Sequence, residues 1–302
     1  MNPIITGTAK DRTGASRIIR RALTEIDLRF KGLQVDVLAL FDAIQTYALN
    51  DAGRPVAYAL TPAQMAAFSA ELQAAVERWI ANGRDPANSL WWAPYEAEAA
   101  QLGAAQSSAN LTNLSPVYAA TRSIEAIVYS TPYQNRLAMA QIKSFDHWTS
   151  LAAQQKSELS QIIGRAVVDG KNPVAVRAEI MERLDVSRSK AAQFAQTEVT
   201  DTLRQAKWTE TEYATESLGI KIGLLWTSAL TARTRQHHAA RNGKVFSTAE
   251  VKAFYSQGGN IYNCRCGQTQ ALLDASGNPI LTDKLKASML AEREAWQKAN
   301  PA

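Results

Sequence analysis

Apolar residues three and four positions apart dominate the first half of the chain. Ile18, Ile19, Ala22, Ile26, Phe30, Leu33 and Val37 predict a helix from Ser16 to Leu40 with one buried stripe. Its opposite face carries Arg17, Arg20, Arg21, Arg29 and Lys31 against Glu25 and Asp27. Such a face is either solvated or an arm laid along a partner protein or nucleic acid. Thr61-Pro62-Ala63-Gln64 announces a second helix: threonine caps, proline fits the first turn, and glutamine three residues on completes a capping box. Met65, Phe68, Leu72, Val76, Trp79 and Ile80 form its stripe, and Gly83 is its expected end. The aromatic stretch Asn88-Ser89-Leu90-Trp91-Trp92-Ala93-Pro94 suits burial against a helical core or the anchoring of a partner. Further helices are expected from about Glu96, with breaks near Ser115-Pro116 and Thr131-Pro132.

From Ser150 the pattern predicts a helix to Asp169 stopped by Gly170, a second opened by Asn172-Pro173, and a third capped by Ser187 and running to about Ser217. The period then shortens. Ile220, Ile222, Leu224 and Trp226 alternate with Lys221, Gly223, Leu225 and Thr227, which predicts a strand with one buried face. Asn242-Gly243 is a tight-turn signal before the strand-like Lys244-Val245-Phe246. Ser247-Thr248-Ala249-Glu250 starts a short helix, 260–273 reads as extended, and 282–297 as a charged amphipathic helix. The fold class is therefore mainly α with a smaller α+β C-terminal region. The expected division is a helical N-terminal half (1–149), a domain with a few short strands (150–275) and a helical tail (276–302).

Composition narrows the function little. With 302 residues, 46% hydrophobic and 20% charged, the chain is ordinary globular protein, and a net charge of +5 only favours anionic surroundings. The longest uncharged run, 99–121, holds too many Gln, Ser, Asn and Thr side chains to cross a membrane. No secretory signal is read at the start, and two cysteines one residue apart argue for a reducing compartment.

The chemistry-bearing residues crowd between Trp226 and Gln268. Cys264, Cys266 and His238 or His237 are the plausible metal ligands, since zinc favours thiolate and imidazole. Two packed, metal-free cysteines are the other reading. Arg233, Arg235, Arg241, Lys244 and Arg265 suit a phosphate or carboxylate, or internal pairing with Glu198. Gly164 to Lys171 imitates a phosphate loop with one residue too many and Asn172 in place of Ser or Thr. A histidine nuclease lacks ligands, since His147 lies far off in sequence, and a Cys264–His238 nucleophile pair lacks an orienting residue.

Taken together, residues from about Ser150 to Leu273 resemble the bacteriophage Mu F-like minor head protein family. Its helix motif Ala-Arg-Thr-Glu reads Ala195-Gln196-Thr197-Glu198, and Trp226 to Leu230 matches its strand end. Its Asp-x-Arg-x-Arg-x-x-His reads Thr231 through Arg233 and Arg235 to His238, its Asp-Gly reads Asn242-Gly243, and Asn263-Cys264-Arg265-Cys266 matches outright. Asp11-Arg12-Thr13-Gly14 is similar to the start of such proteins. Three charged motif positions fall on the neutral residues Thr231, Gln196 and Asn242, which a scaffold survives more easily than an enzyme does. The resemblance implies a helical N-terminal half followed by a Mu F-like domain, and a minor head protein, not an enzyme, in the virion near the portal and in host cytoplasm during assembly. Its implied partners are the portal protein, the major capsid protein and packaged DNA, with no membrane. Arg17, Arg20, Arg21, Arg29 and Lys31 are then the contact candidates. No cofactor is required, and structural zinc on His238, Cys264 and Cys266 is the one the residues suit. The motif arginines are expected to brace the fold around Glu198. Rival readings are an ADP-ribosyltransferase-like enzyme using Glu198 and Arg233, and a general DNA-binding protein.

Overall fold

Helix α1 (Ser16–Asp42) buries all seven residues of its expected stripe. It opens a computed structural model that describes residues 2–49, 55–81 and 90–301. After a short antiparallel hairpin, β1 (Thr46–Ala48) with β2 (Val56–Tyr58), come α2 (Pro62–Val76) and a π-helical turn, Glu77–Ala81. The hairpin was not anticipated, because three-residue strands leave no readable period. The Thr61 capping box is formed as expected, with the Thr61 hydroxyl accepting from Gln64 N and the Gln64 side chain accepting from Thr61 N. The expected stop at Gly83 and the Asn88-Ser89 part of the tryptophan loop lie outside the described residues.

Next follow α3 (Ala93–Leu114), α4 (Pro116–Thr121), α5 (Ile124–Val128), α6 (Thr131–Asp169) and α7 (Pro173–Glu216). Two expected boundaries are absent. α6 runs straight through Ser150, and α7 is continuous through Ser187. Ser187 is 1% exposed and its hydroxyl accepts from Gln155 Nε2 at 2.6 Å. A serine whose side chain is occupied by a neighbouring helix no longer competes for a backbone N–H, so the helix passes through it.

The C-terminal part contains β3 (Ile222–Thr227), a single helical turn α8 (Gln236–Ala239), β4 (Val245–Phe246), α9 (Thr248–Tyr255), β5 (Gly267–Leu272) and α10 (Asp283–Ala299). The strands form one antiparallel sheet in the order β4-β3-β5, pairing Leu224 with Phe246 and with Gln270. Helices hold 67% of the described residues, so the fold is mainly α with a minor β component. No helix among the described residues is long and apolar enough to cross a membrane.

By contact density the chain divides into two compact units that interleave along the sequence. One gathers Met1–Arg20, Pro94–Ala140 and Phe194–Ala302, and the other Arg21–Ala93 with Gln141–Gln193. In the latter, Trp91, Trp92 and Trp148 form a buried aromatic cluster with ring centroids 4.7–5.6 Å apart. The tryptophan pair is therefore core. Arg29 belongs to the same core and corrects the expectation of one exposed basic face. It is 3% exposed, donates to Glu25 Oε1 at 2.9 Å and to Trp79 O at 3.2 Å, and lies over the Trp91 ring. Its aliphatic stem and planar head allow an arginine to be buried where a carboxylate and a ring face are both at hand. Arg17, Arg20, Arg21 and Lys31 are exposed.

In the former unit, the sheet is covered on both sides, not on one as alternation suggested. Leu224 and Trp226 join Trp208, Val251, Tyr255, Cys264 and Cys266 on one face. Leu225 joins Ala271 and Met289 of α10 on the other, with Ile5, Val245, Leu281 and Leu285 packed around them. The unit is also tied by buried polar groups. Asn110 on α3 donates to Gln270 O and accepts from Ile4 N, and Gln270 Nε2 donates to Ser107 and Thr211 hydroxyls at 2.8 and 3.0 Å.

Candidate functional site

Trp226, the penultimate residue of β3, lies inside an aromatic shell. Tyr255 stacks on it with centroids 5.4 Å apart, and Phe246, Phe254 and His238 meet it edge to face. Beyond Thr227 the chain leaves the sheet, and the next turns are held by side chains. Asn242 is 1% exposed; its Oδ1 accepts from Ser228 N at 2.8 Å and its Nδ2 donates to Met289 O at 3.0 Å. Gly243 follows at φ 79, the left-handed region in which glycine carries no steric cost, and its N–H donates to Trp226 O. A Cβ there would come 2.9 Å from that of Met289, so the expected Asn-Gly turn is needed both for conformation and for space. Asn242→Ala leaves two buried backbone groups unpaired and should cost on the order of 2–3 kcal/mol, read as a shifted urea midpoint; an unshifted midpoint would remove Asn242 as the pin of this turn.

The arginines divide by role. Arg235 donates to the carbonyls of Gly259, Asn260 and Tyr262 at 2.8–3.1 Å, fixing the loop that leads to the cysteines. Arg241 lies 3.8 Å from the centre of Phe246 and 4.2 Å from that of Phe254, and burial lowers its pKa. Arg233, Lys244 and Arg265 are exposed. Glu198 is 5% exposed on α7, while Arg235 gives its hydrogen bonds to loop carbonyls. Loop carbonyls offer partial charge without the desolvation cost of a buried carboxylate.

His238 and the two cysteines come together. His238 on α8 places Nδ1 3.4 Å from Cys264 Sγ and 3.7 Å from Cys266 Sγ, and the three potential ligand atoms lie within 4.8 Å of one another. His237 turns away and its Nε2 meets Asn260 Oδ1 at 2.8 Å. Asn263, at φ 52, precedes the cysteines and gives its N–H to the Thr197 hydroxyl of the helix motif. Arg265 between the cysteines is exposed, and its carbonyl accepts from Arg12 N at 3.0 Å. Two residues on, Gly267 has no room for a Cβ, which would stand 2.3 Å from Arg12 O. Thus Asp11-Arg12-Thr13-Gly14 lies against Cys-Arg-Cys-Gly. Asp11 organises that opening by accepting from Thr13 N and from the Thr13 and Ser16 hydroxyls.

Three residues of this region escaped the sequence reading. Arg204, 1% exposed on α7, donates from Nη2 to Cys264 O at 2.6 Å and Cys266 O at 3.3 Å and lies over the Tyr255 ring. Tyr255 places its hydroxyl 3.4 Å from Cys264 Sγ, and Gln268 Nε2 donates to that hydroxyl at 2.9 Å. An arginine, an aromatic and a glutamine on three separate elements carry no spacing signal. Burial by itself would raise the Cys264 thiol, but the bond from Cys266, the Arg204 charge and His238 outweigh it and hold that thiol well below its ordinary value. Cys266 is pushed up by its bond to Cys264 and by burial. His147 lies on α6 in the tryptophan-rich unit and is not part of this cluster.

Comparison with known proteins finds similarity over the same part of the chain. Residues 157–269 match the model of the family described as phage Mu protein F like protein. An uncharacterized protein of Haemophilus influenzae is 27% identical over 147 residues, which is 47% of this chain and 32% of that protein, so the alignment spans about a third of the relative's length. No solved structure matches. The segment that matches contains α7, the Asn-Gly turn and the His-Cys-Cys cluster described above, and over those residues the chain is similar to the phage Mu protein F-like family.

Proposed function

We propose that this chain is a phage minor head protein, bound to the portal protein at the portal vertex on the inner side of the capsid. It acts there in head assembly, DNA packaging or DNA delivery, with the major capsid protein and packaged DNA as neighbours. The observation that carries this reading is the Mu F-like match over 157–269, on a segment whose motif residues are largely spent on holding loops together. Arg235, Asn242, Cys264 and Cys266 face other parts of their own chain, as a scaffold requires. The exposed Arg17, Arg20, Arg21 and Lys31 of α1 supply the basic surface for contact with the portal or DNA. The role we infer is structural and not catalytic, in keeping with motif residues that bind loops of their own chain.

Quantitative mass spectrometry of purified, DNA-filled heads tests this. The chain should be present at a few copies per portal ring and should cross-link to the portal protein through α1. Its absence from filled heads, with normal synthesis in the infected cell, would overturn the virion assignment.

A further inference from the structure

We propose that His238, Cys264 and Cys266 bind one zinc ion, as a structural site that locks the cysteine segment onto α8. Residues i and i+2 of extended backbone share a face, so Cys264 and Cys266 deliver both sulfurs to the same side while Arg265 points to solvent. The third atom, His238 Nδ1, comes from the helical turn ten residues beyond Ser228 and completes a triangle with sides of 3.4 and 3.7 Å to the two sulfurs. Tetrahedral zinc, with bonds of about 2.3 Å to sulfur and about 2.0–2.1 Å to nitrogen, would hold sulfur and nitrogen about 3.6 Å apart. The triangle already has that size.

The donor set also selects the ion. Two thiolates and an imidazole suit zinc, and a hard cation would want oxygens. Two thiolates neutralise the ion's charge, which a site of side chains only 1–4% exposed requires. Metal-free, the same place holds two weak S–H groups and an imidazole in mutual contact, a poor exchange for the hydrogen bonds they give up in water. Three protein ligands leave a fourth position to an oxygen, and the Tyr255 hydroxyl stands beside the cluster, held by Gln268. Arg204 fixes the backbone that carries both sulfurs by binding the Cys264 and Cys266 carbonyls, a supporting contact of the kind that orients metal ligands. The inference does not rest on the portal assignment, since it concerns only side chains of one chain.

The test uses the full chain purified under reducing conditions without chelator. Elemental analysis should find one zinc per chain, and replacement by cobalt should give the visible bands of a tetrahedral ion together with sulfur-to-cobalt charge transfer. Both thiols should resist alkylation until a chelator is added, and the chelator should lower the melting temperature. Cys264→Ser, Cys266→Ser and His238→Gln should each lose the metal, whereas Arg265→Ala keeps it. Should those variants fail to fold, the wild-type cobalt spectrum and the alkylation pattern decide alone. Protein that is folded, reduced and offered zinc or cobalt but stays metal-free would overturn the site, as would cobalt bands lacking sulfur charge transfer.

Discussion

Glu210→Ala should be among the most damaging single substitutions in this chain, costing about 3–5 kcal/mol and lowering the melting temperature by roughly 10 °C. Glu210 sits on α7 with its side chain 1% exposed. It accepts from the Tyr118 hydroxyl at 2.6 Å and, through both oxygens, from Arg122 Nε and Nη2 at 3.0 and 3.1 Å. Arg122 also covers the Tyr213 ring at 3.8 Å. Removing the carboxylate leaves a largely buried cation without a counter-charge and a phenol without its acceptor, and neither group can reach water cheaply. Tyr118→Phe, which deletes one neutral donor, should cost only about 1 kcal/mol. Urea titration of both variants checks the pair; a Glu210→Ala midpoint as close to wild type as that of Tyr118→Phe would show that the ion pair contributes little.

The second large effect is a pH dependence. Lys207 is fully enclosed on α7, and burial, followed by the repulsion of Arg204, lowers its amine to about 7. Its nitrogen donates to Gln106 Oε1 at 3.2 Å, a bond a neutral amine makes equally well. In the unfolded chain a lysine titrates near 10.4. Between those two values the unfolded state binds the extra proton, so stability must rise with pH, by up to about 1.4 kcal/mol per unit. Below pH 7 both states are protonated and the term is constant. Measured from pH 7.5 to 9.5, the unfolding free energy should gain about 2–3 kcal/mol, and Lys207→Met should flatten the curve. Equal slopes for the two proteins would mean that the amine is protonated when buried.

These two residues mark what could be read from the sequence and what could not. The stripe of α1, the Thr61 and Ser247 capping boxes, the Asn242-Gly243 turn and the His238, Cys264, Cys266 set were legible, because each is a local pattern with one physical meaning. Glu210, Lys207 and Arg204 were not. They lie at helix positions where a charged residue ordinarily faces solvent, and only the approach of α3, α4 and the cysteine segment turns those positions inward. The same absence of tertiary information produced the false breaks at Ser150 and Ser187, where local signals were outweighed by packing between helices. Arg29 erred in the opposite sense: periodicity placed it on the polar face, and a glutamate and a tryptophan accepted it into the core.

The interleaving of the two compact units has a consequence for how the chain is made. All residues of the tryptophan-rich unit have been synthesised once translation passes Gln193. The other unit places its opening residues against Cys-Arg-Cys-Gly and β5, so its first segment has no finished surface to join until roughly a hundred further residues exist. At about 5–20 residues per second that is a wait on the order of ten seconds, during which Ile4, Ile5 and the apolar side of α3 lack their sheet. Translation thus supplies every residue of the tryptophan-rich unit before the other unit has its sheet. Slow, long-range closure of this kind is where a nascent chain is most open to capture by a chaperone or by another copy of itself.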